Sequence, residues 1–251
     1  MPTTDDTAAR LLLARRSGQA QPATTPADAD AAYAAQADVA RALGWFDGGV
    51  PRHWKSGGPS RQAVATHAPL PPAGVWASPA TAGAWPFHQR GIEAEIALRL
   101  GMPVDAGLAA GLDLPQARTL VDAQCVSIEI VDSRWAEGLL APTLAKLADL
   151  QSHGALVLGD WRTFDAAHDW SAQRCQVQIG TPPAQGFQGS HSMGDPAFVL
   201  LAWLRHATRG GVVVPAGTVV TTGTWCGLLA AQAGDLVQVQ FDGIGMASVQ
   251  L

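Results

Sequence analysis

Long apolar runs, basic clusters and paired cysteines are all missing from this chain. The longest apolar stretch, residues 197–204, is about half of what a membrane span requires, so no membrane is expected as a partner. The 251 residues carry 16 Lys and Arg against 21 Asp and Glu, and the basic residues nowhere cluster. That sets aside nucleic acid as a partner. Cys125, Cys175 and Cys226 are odd in number, far apart and set among apolar neighbours. They read as small buried hydrophobes with reduced thiols, which suits a cytoplasmic protein. Asp5, Asp6, Arg10, Arg15 and Arg16 surround Leu11, Leu12 and Leu13, with no sustained apolar centre or cleavage site, so no secretory signal is read there. The histidines lack metal-ligand spacing: His53, His67, His88, His153, His168 and His206 read as surface or loop residues. Gly48-Gly49 and Gly57-Gly58 are not followed by Lys-Ser/Thr, which excludes a P-loop. No internal repeat is present.

What is present is apolar and patterned. Hydrophobic residues make up 47% of the chain and charged ones 15%, a composition that folds rather than stays disordered. Helices are expected over 4–16 and 28–43, separated by a Gln/Pro/Thr-rich linker. A short strand is expected over 52–56. Residues 57–91, rich in Gly, Pro, Ser and Ala, read as one long loop. From Gly91 the period changes to two: Ile92, Ala94, Ile96, Leu98 and Leu100 alternate with Glu93, Glu95, Ala97 and Arg99, which predicts a strand. Further strands are expected over 125–134, 155–158, 175–179, 212–220, 236–241 and 244–249, and helices over 114–124, 141–151 and 195–208. Asp195-Pro196 is the start signal of the last helix.

Glu93 and Glu95 lie two apart on a strand, so they share a face. Two carboxylates side by side repel, and burying them requires a positive partner such as a hard divalent cation with oxygen ligands. The alternative is a strand with one solvated face. Glu129 stands among apolar residues in Cys125-Val-Ser-Ile-Glu129-Ile-Val-Asp132-Ser-Arg134, sharing a face with Ser127. Arg134 has two candidate partners, Asp132 or an anionic substrate.

Together, Gly91-Ile-Glu93-Ala-Glu95-Ile-Ala97 and Ile128-Glu129-Ile-Val-Asp132-Ser-Arg134 resemble the two metal motifs of the fumarylacetoacetate hydrolase superfamily. The closer match is its 2-oxopent-4-enoate hydratase and 4-oxalocrotonate decarboxylase branch. Gly189-Ser190, Gly194-Asp-Pro196, Pro215-Ala-Gly217 and Thr222-Gly223-Thr224 continue the likeness, which covers roughly residues 30–251. The resemblance implies an α+β fold, a bent and mostly antiparallel β-sheet roll with helices packed outside. It implies a catalytic domain over 51–251, with residues 1–50 as a helical segment packed against it, and a homo-oligomer. It implies Mg²⁺ or Mn²⁺ held by Glu93, Glu95 and Glu129, Lys55 as the catalytic lysine, and Arg134, Ser190 and Thr224 as substrate-binding residues. The implied reaction is that of a metal-dependent lyase of aromatic-compound catabolism, acting on a small 2-oxo or 2-hydroxydienoic acid through a metal-stabilised enolate. Hydration comes first, with decarboxylation or C–C hydrolysis as alternatives. Trp85 and Trp225 are candidates to border the cleft.

The pattern also departs from the branch. Ser56-Gly57-Gly58-Pro59 replaces the usual Ile/Val-Gly-Leu-Thr after the lysine, Pro72-Ala73-Gly74 lacks an expected acid, and Ala148-Asp149-Leu150 replaces Ala-Asp-Asn. A binding protein that keeps the fold without catalysis is therefore a second reading. Ser190-His191-Ser192-Met193-Gly194 approaches a serine-hydrolase elbow, but only His206 follows to complete a triad.

Overall fold

Two long antiparallel strands organise the molecule, and the period-two segments around the three glutamates form them. The computed structural model describes residues 4–251, so the first three residues of the expected 1–50 segment lie outside it. Among the described residues the strands are β1 (His53–Gly57), β2 (Thr66–Pro69), β3 (Val75–Ala77), β4 (Ala80–Thr81), β5 (Gly91–Leu100), β6 (Val121–Val131), β7 (His153–Leu158), β8 (Arg162–Thr163), β9 (Arg174–Ile179), β10 (Gln185–Gln188), β11 (Val219–Thr221), β12 (Leu229–Ala230), β13 (Leu236–Phe241) and β14 (Gly245–Gln250). The helices are α1 (Thr4–Ser17), α2 (Ala29–Ala42), α3 (Ala106–Gly111), α4 (Leu114–Thr119), α5 (Thr143–Ala148) and α6 (Val199–Ala207).

One sheet runs β2-β1-β11-β5-β6-β7-β3, with β12 added to β5 and β8 to β6; the other runs β10-β9-β13-β14-β4. Pairing is antiparallel except at β1–β11, β3–β7 and β4–β14. The expected α+β roll is the fold observed, with a curled sheet of mixed rather than purely antiparallel pairing. Ile92, Ile96, Val126, Ile128 and Ile130 turn one face of β5–β6 towards Val237, Val239, Ala247 and Val249 of the second sheet, and all of them are buried in the main core. The opposite face carries the glutamates.

Asp28 caps α2 by accepting from the Ala31 N–H. Leu11 of α1 and Ala35 and Val39 of α2 pack with Trp135, Ala145 and Leu147 into a second, smaller core. The N-terminal helices thus rest on α5, and α5 in turn walls the glutamate face.

Several expectations are corrected. The expected loop over 57–91 contains β2, β3 and β4, pieces of two to four residues that are too short to show a period and exist only by pairing with longer neighbours. The expected helix over 114–124 stops at Thr119, because β6 begins at Val121 and pairs with β5. The expected strand over 212–220 shrinks to β11; Gly217 at φ +77° breaks it, and Val214 makes only an isolated bridge to Val104. The expected helix over 141–151 ends at Ala148 and gives way to three residues in left-handed conformation.

Candidate metal centre and its cavity

The register of β5 and β6 assembles the acids. Glu93 pairs with Glu129 and Glu95 with Ser127, so all four side chains share one face. Each glutamate offers one oxygen, and the three oxygens lie within 4.8 Å of one another. Glu95 and Glu129 are fully buried and Glu93 is half-buried. The curl of the sheet brings in Lys55 from β1: its Nζ donates to Glu129 Oε1 at 2.5 Å and to the Gln151 carbonyl at 3.2 Å. His153, the first residue of β7, places Nδ1 3.1 Å from the same Glu129 oxygen. Thr221 donates to Glu95 and lies 3.0 Å from the Ser127 hydroxyl. The Gly223 N–H also reaches Glu95, and the φ of +106° at Gly223 favours glycine there.

Charge in this cup is unbalanced. Burial, with the nearby Glu129 and Glu95 charges, pushes Glu93 up to about 8. Burial and Glu129 push Glu95 up to about 7. Burial works in the same direction on Glu129, but Lys55 and His153 together outweigh it and hold Glu129 below the usual carboxylate range. Burial alone would lower Lys55; the three acids reverse this and raise it. Lys55 thus neutralises one carboxylate, and the other two resist ionising together. Glu129 Oε2 is buried without any hydrogen-bond partner. Three converging carboxylates, one with an orphaned oxygen, are a donor set that fits a hard divalent cation.

A cavity of about 370 Å³ opens on Glu93 and is also lined by Thr66, Lys146, Gln151, Ser152 and Leu228. That volume suits a small ligand. Leu150, Gln151 and Ser152 have φ of 53°, 56° and 59°, a left-handed turn without glycine that turns the Gln151 carbonyl to Lys55.

Arg134, Ser190 and Thr224 do not line the cavity at Glu93. Arg134 is buried, its Nε 2.7 Å from Asp149 Oδ1, and Asp149 also accepts from the Arg134 N–H and from Arg15. Arg134 borders a separate cavity of about 680 Å³ shared with Trp85, His88 and His153, not the one at Glu93. Ser190 donates to the Trp225 carbonyl, and Thr224 donates to the Gly227 carbonyl at 2.8 Å. Trp225 is buried in the core. The serine-hydrolase elbow does not form: Ser192 donates to the Gly58 carbonyl at 2.9 Å, and His191 spends Nε2–H on the Thr222 carbonyl at 2.9 Å. His153 and His67, expected at the surface or in loops, are buried on β7 and β2. The residues that sequence reasoning missed are His153, Thr221, Gln151, Ser152 and Lys146; none sits in a motif that announces it.

Known proteins share this architecture. Over 124 residues the chain is 35% identical to the 2-hydroxyhexa-2,4-dienoate hydratase of Comamonas testosteroni, covering 49% of this chain and 46% of that one. Over 160 residues it is 29% identical to the 2-keto-4-pentenoate hydratase of Paraburkholderia xenovorans (strain LB400), covering 63% and 58%. The matches thus span about half the length of these curated relatives. The solved 4-oxalocrotonate decarboxylase from Pseudomonas putida G7, complexed with magnesium and adipate, superposes with a TM-score of 0.80 at 17% identity, covering 100% of this chain and 98% of that one. At that identity the likeness is one of fold. Residues 48–251 match the fumarylacetoacetate (FAA) hydrolase C-terminal family, and the chain belongs to it.

Proposed function

We propose that this protein is a divalent-metal-dependent lyase acting on a small 2-oxo or 2-hydroxydienoic acid, with hydration as its first-choice reaction. The observation that carries this reading is the buried, unpartnered Glu129 Oε2 within a three-carboxylate cup. The names of the similar hydratases supply the substrate class and the reaction. Glu93, Glu95 and Glu129 would hold Mg²⁺ or Mn²⁺. The ion would supply a Lewis acid for the 2-oxo group and its enolate.

The chain's own residues do the rest. Thr221 and the Gly223 N–H fix the Glu95 carboxylate, and His153 and Lys55 fix that of Glu129. Lys55 is the charged partner for the substrate carboxylate. The three acids around it outweigh burial and hold its ammonium in the charged form. Arg134, locked on Asp149, and Ser190 and Thr224, engaged with backbone carbonyls, do not line the cavity at Glu93 and do not touch substrate in this reading. Three buried free thiols accord with a cytoplasmic protein, and no helix among the described residues is long and apolar enough to cross a membrane. A homo-oligomer is the expected assembly, checked by light scattering.

An ultraviolet assay of 2-hydroxypenta-2,4-dienoate and 2-oxo-3-hexenedioate with Mg²⁺ or Mn²⁺ tests the proposal. Turnover that stops on chelation and in Glu95→Gln supports it. Bound metal with no turnover of any 2-oxo acid would favour a binding protein instead. Retained metal binding in both Glu93→Gln and Glu95→Gln would remove the site.

A further inference from the structure

The larger cavity, of about 680 Å³, lies where the N-terminal helical segment meets the sheet, and the proposed reaction does not use it. Arg15 and Trp45 line it from that segment, and Pro72, Trp85, Arg134 and His153 line it from the rest of the chain. His153 borders this cavity and not the one at Glu93. The residue is only 2% exposed. Its Nδ1 stands 3.1 Å from Glu129 Oε1, and its Nε2 is buried without a partner. One edge of the ring is thus taken by the cup, and the other is left to the second cavity. Arg15 leaves a second atom open: its Nη2 pairs with Asp149 at 3.1 Å, while its Nε is buried and unpartnered. Buried polar atoms without partners, on residues that border one hollow of ligand size, call for an occupant.

Charge and shape specify that occupant. The Glu129 carboxylate only accepts, so the proton of the buried, neutral His153 ring sits on Nδ1, and Nε2 is an acceptor. Arg15 Nε–H is a donor. A hydroxyl supplies both the donor and the acceptor these atoms lack. The cations of the cavity are already paired, Arg134 with Asp149 and Asp132, and Arg15 with Asp149. Asp47, an exposed lining residue, adds a negative charge, so an anion is disfavoured. Trp45, Trp85 and Pro72 offer flat apolar surface, and the Arg15 guanidinium lies 4.8 Å from the centre of the Trp45 ring. We infer that this cavity is a second ligand site, separate from the carboxylate cup, for a neutral aromatic alcohol of the phenol class. Its O–H donates to His153 Nε2, Arg15 Nε–H donates to its oxygen, and its ring lies along the tryptophans. The site goes beyond the proposed lyase reaction and does not depend on it.

The test is calorimetry on the intact protein, with Mn²⁺ present, using three probes of similar size. They are 4-methylphenol, 4-methylanisole, which lacks the O–H, and 4-methylbenzoate, which is an anion. The wild type should bind 4-methylphenol about tenfold or more tightly than 4-methylanisole, the size of one buried acceptor left unpaired. Ala73→Trp fills the cavity from an exposed lining position and should abolish binding. His153→Leu removes the acceptor and should erase the preference for the phenol over its ether. Thermal melts confirm that each variant is folded, and should His153→Leu fail to fold, the wild type and Ala73→Trp still decide. Absence of 4-methylphenol binding, equal binding of phenol and ether by the wild type, or phenol binding that survives in Ala73→Trp would overturn the inference. So would 4-methylbenzoate binding that is tighter than that of the phenol and lost in Ala73→Trp.

Discussion

Strand β1 separates two buried polar clusters that differ in how they end. On one side Lys55 meets the carboxylate cup. On the other, Ser56 Oγ lies 2.9 Å from His67 Nδ1, the His67 ring stacks 4.7 Å from His206, and Tyr33 packs 4.4 Å from His206 while its hydroxyl accepts from the His67 N–H. Among the described residues none of the side-chain polar atoms of Ser56, His67, His206 or Tyr33 is buried without a partner. This cluster has also shed its charge: burial first, then His206 and Arg209, holds His67 down to about 3, and burial with Arg209 holds His206 down to about 4. The cup differs: its acids resist ionising together, and Glu129 Oε2, His153 Nε2 and Ser152 Oγ are left unpaired. The neutral cluster leaves no buried donor or acceptor over, whereas the glutamate cup does, as a site that addresses a ligand would under the proposed function.

Substitution on each side of β1 should separate these two kinds of cluster. Glu129→Gln removes a ligand and should lower Mn²⁺ affinity by at least the roughly 100-fold seen for disturbed metal shells, with turnover falling alongside. The fold should survive, because Glu93 and Glu95 remain to balance Lys55. His67→Gln should leave Mn²⁺ affinity unchanged and lower the unfolding free energy. Titration calorimetry paired with urea unfolding reads both. A Glu129→Gln protein that still binds Mn²⁺ as tightly as the wild type would erase the distinction.

Acid provides a second, smaller separation. His67 stays neutral in the folded protein down to about pH 3, whereas an unfolded imidazole protonates near 6.5. At this residue the unfolded state binds more protons below pH 6.5, so its contribution to stability falls as pH drops towards 4, on the order of 1 kcal/mol per pH unit. His206 acts in the same direction, while the raised Glu93 and Glu95 oppose it down to about pH 4.5. The His67 share is therefore read by difference: in urea unfolding between pH 7 and 4, the wild type should lose stability relative to His67→Gln as pH falls. A slope that is identical in the variant would place the acid sensitivity elsewhere.

The strand-borne half of the site was legible because period two is a local signal. Glu93, Glu95 and Glu129 each declare their face from their neighbours, and Asp28 and Asp195 declare the helix starts they cap. Pairing is not local. Nothing in the chain says that Glu93 lies opposite Glu129, or that the curl of the sheet carries Lys55 to it. Arg134 shows the limit most plainly: the expected partner Asp132 does stand 3.5 Å from its Nη1, but the closer anion, Asp149 at the C-terminal end of α5, was not legible. The left-handed turn was hidden for another reason. Leucine, glutamine and serine carry no preference for that conformation, so only the surrounding contacts impose it.

That imposed turn offers the smallest test. A left-handed residue other than glycine costs roughly 1–2 kcal/mol, and three stand in a row at 150–152. Leu150 and Ser152 are buried, which leaves Gln151 as the position where relief can be measured. Gln151→Gly removes the steric penalty at φ 56° but also removes the hydrogen bond to Thr66 and frees the unfolded chain. These terms are of similar size, so the net change should stay within about 1 kcal/mol and the melting temperature within about 2–4 °C of the wild type. Turnover should fall at the same time, because the Gln151 carbonyl that steadies Lys55 would sit on a looser backbone. If the variant melts lower than that, the turn is held by its own side-chain contacts and stores little strain.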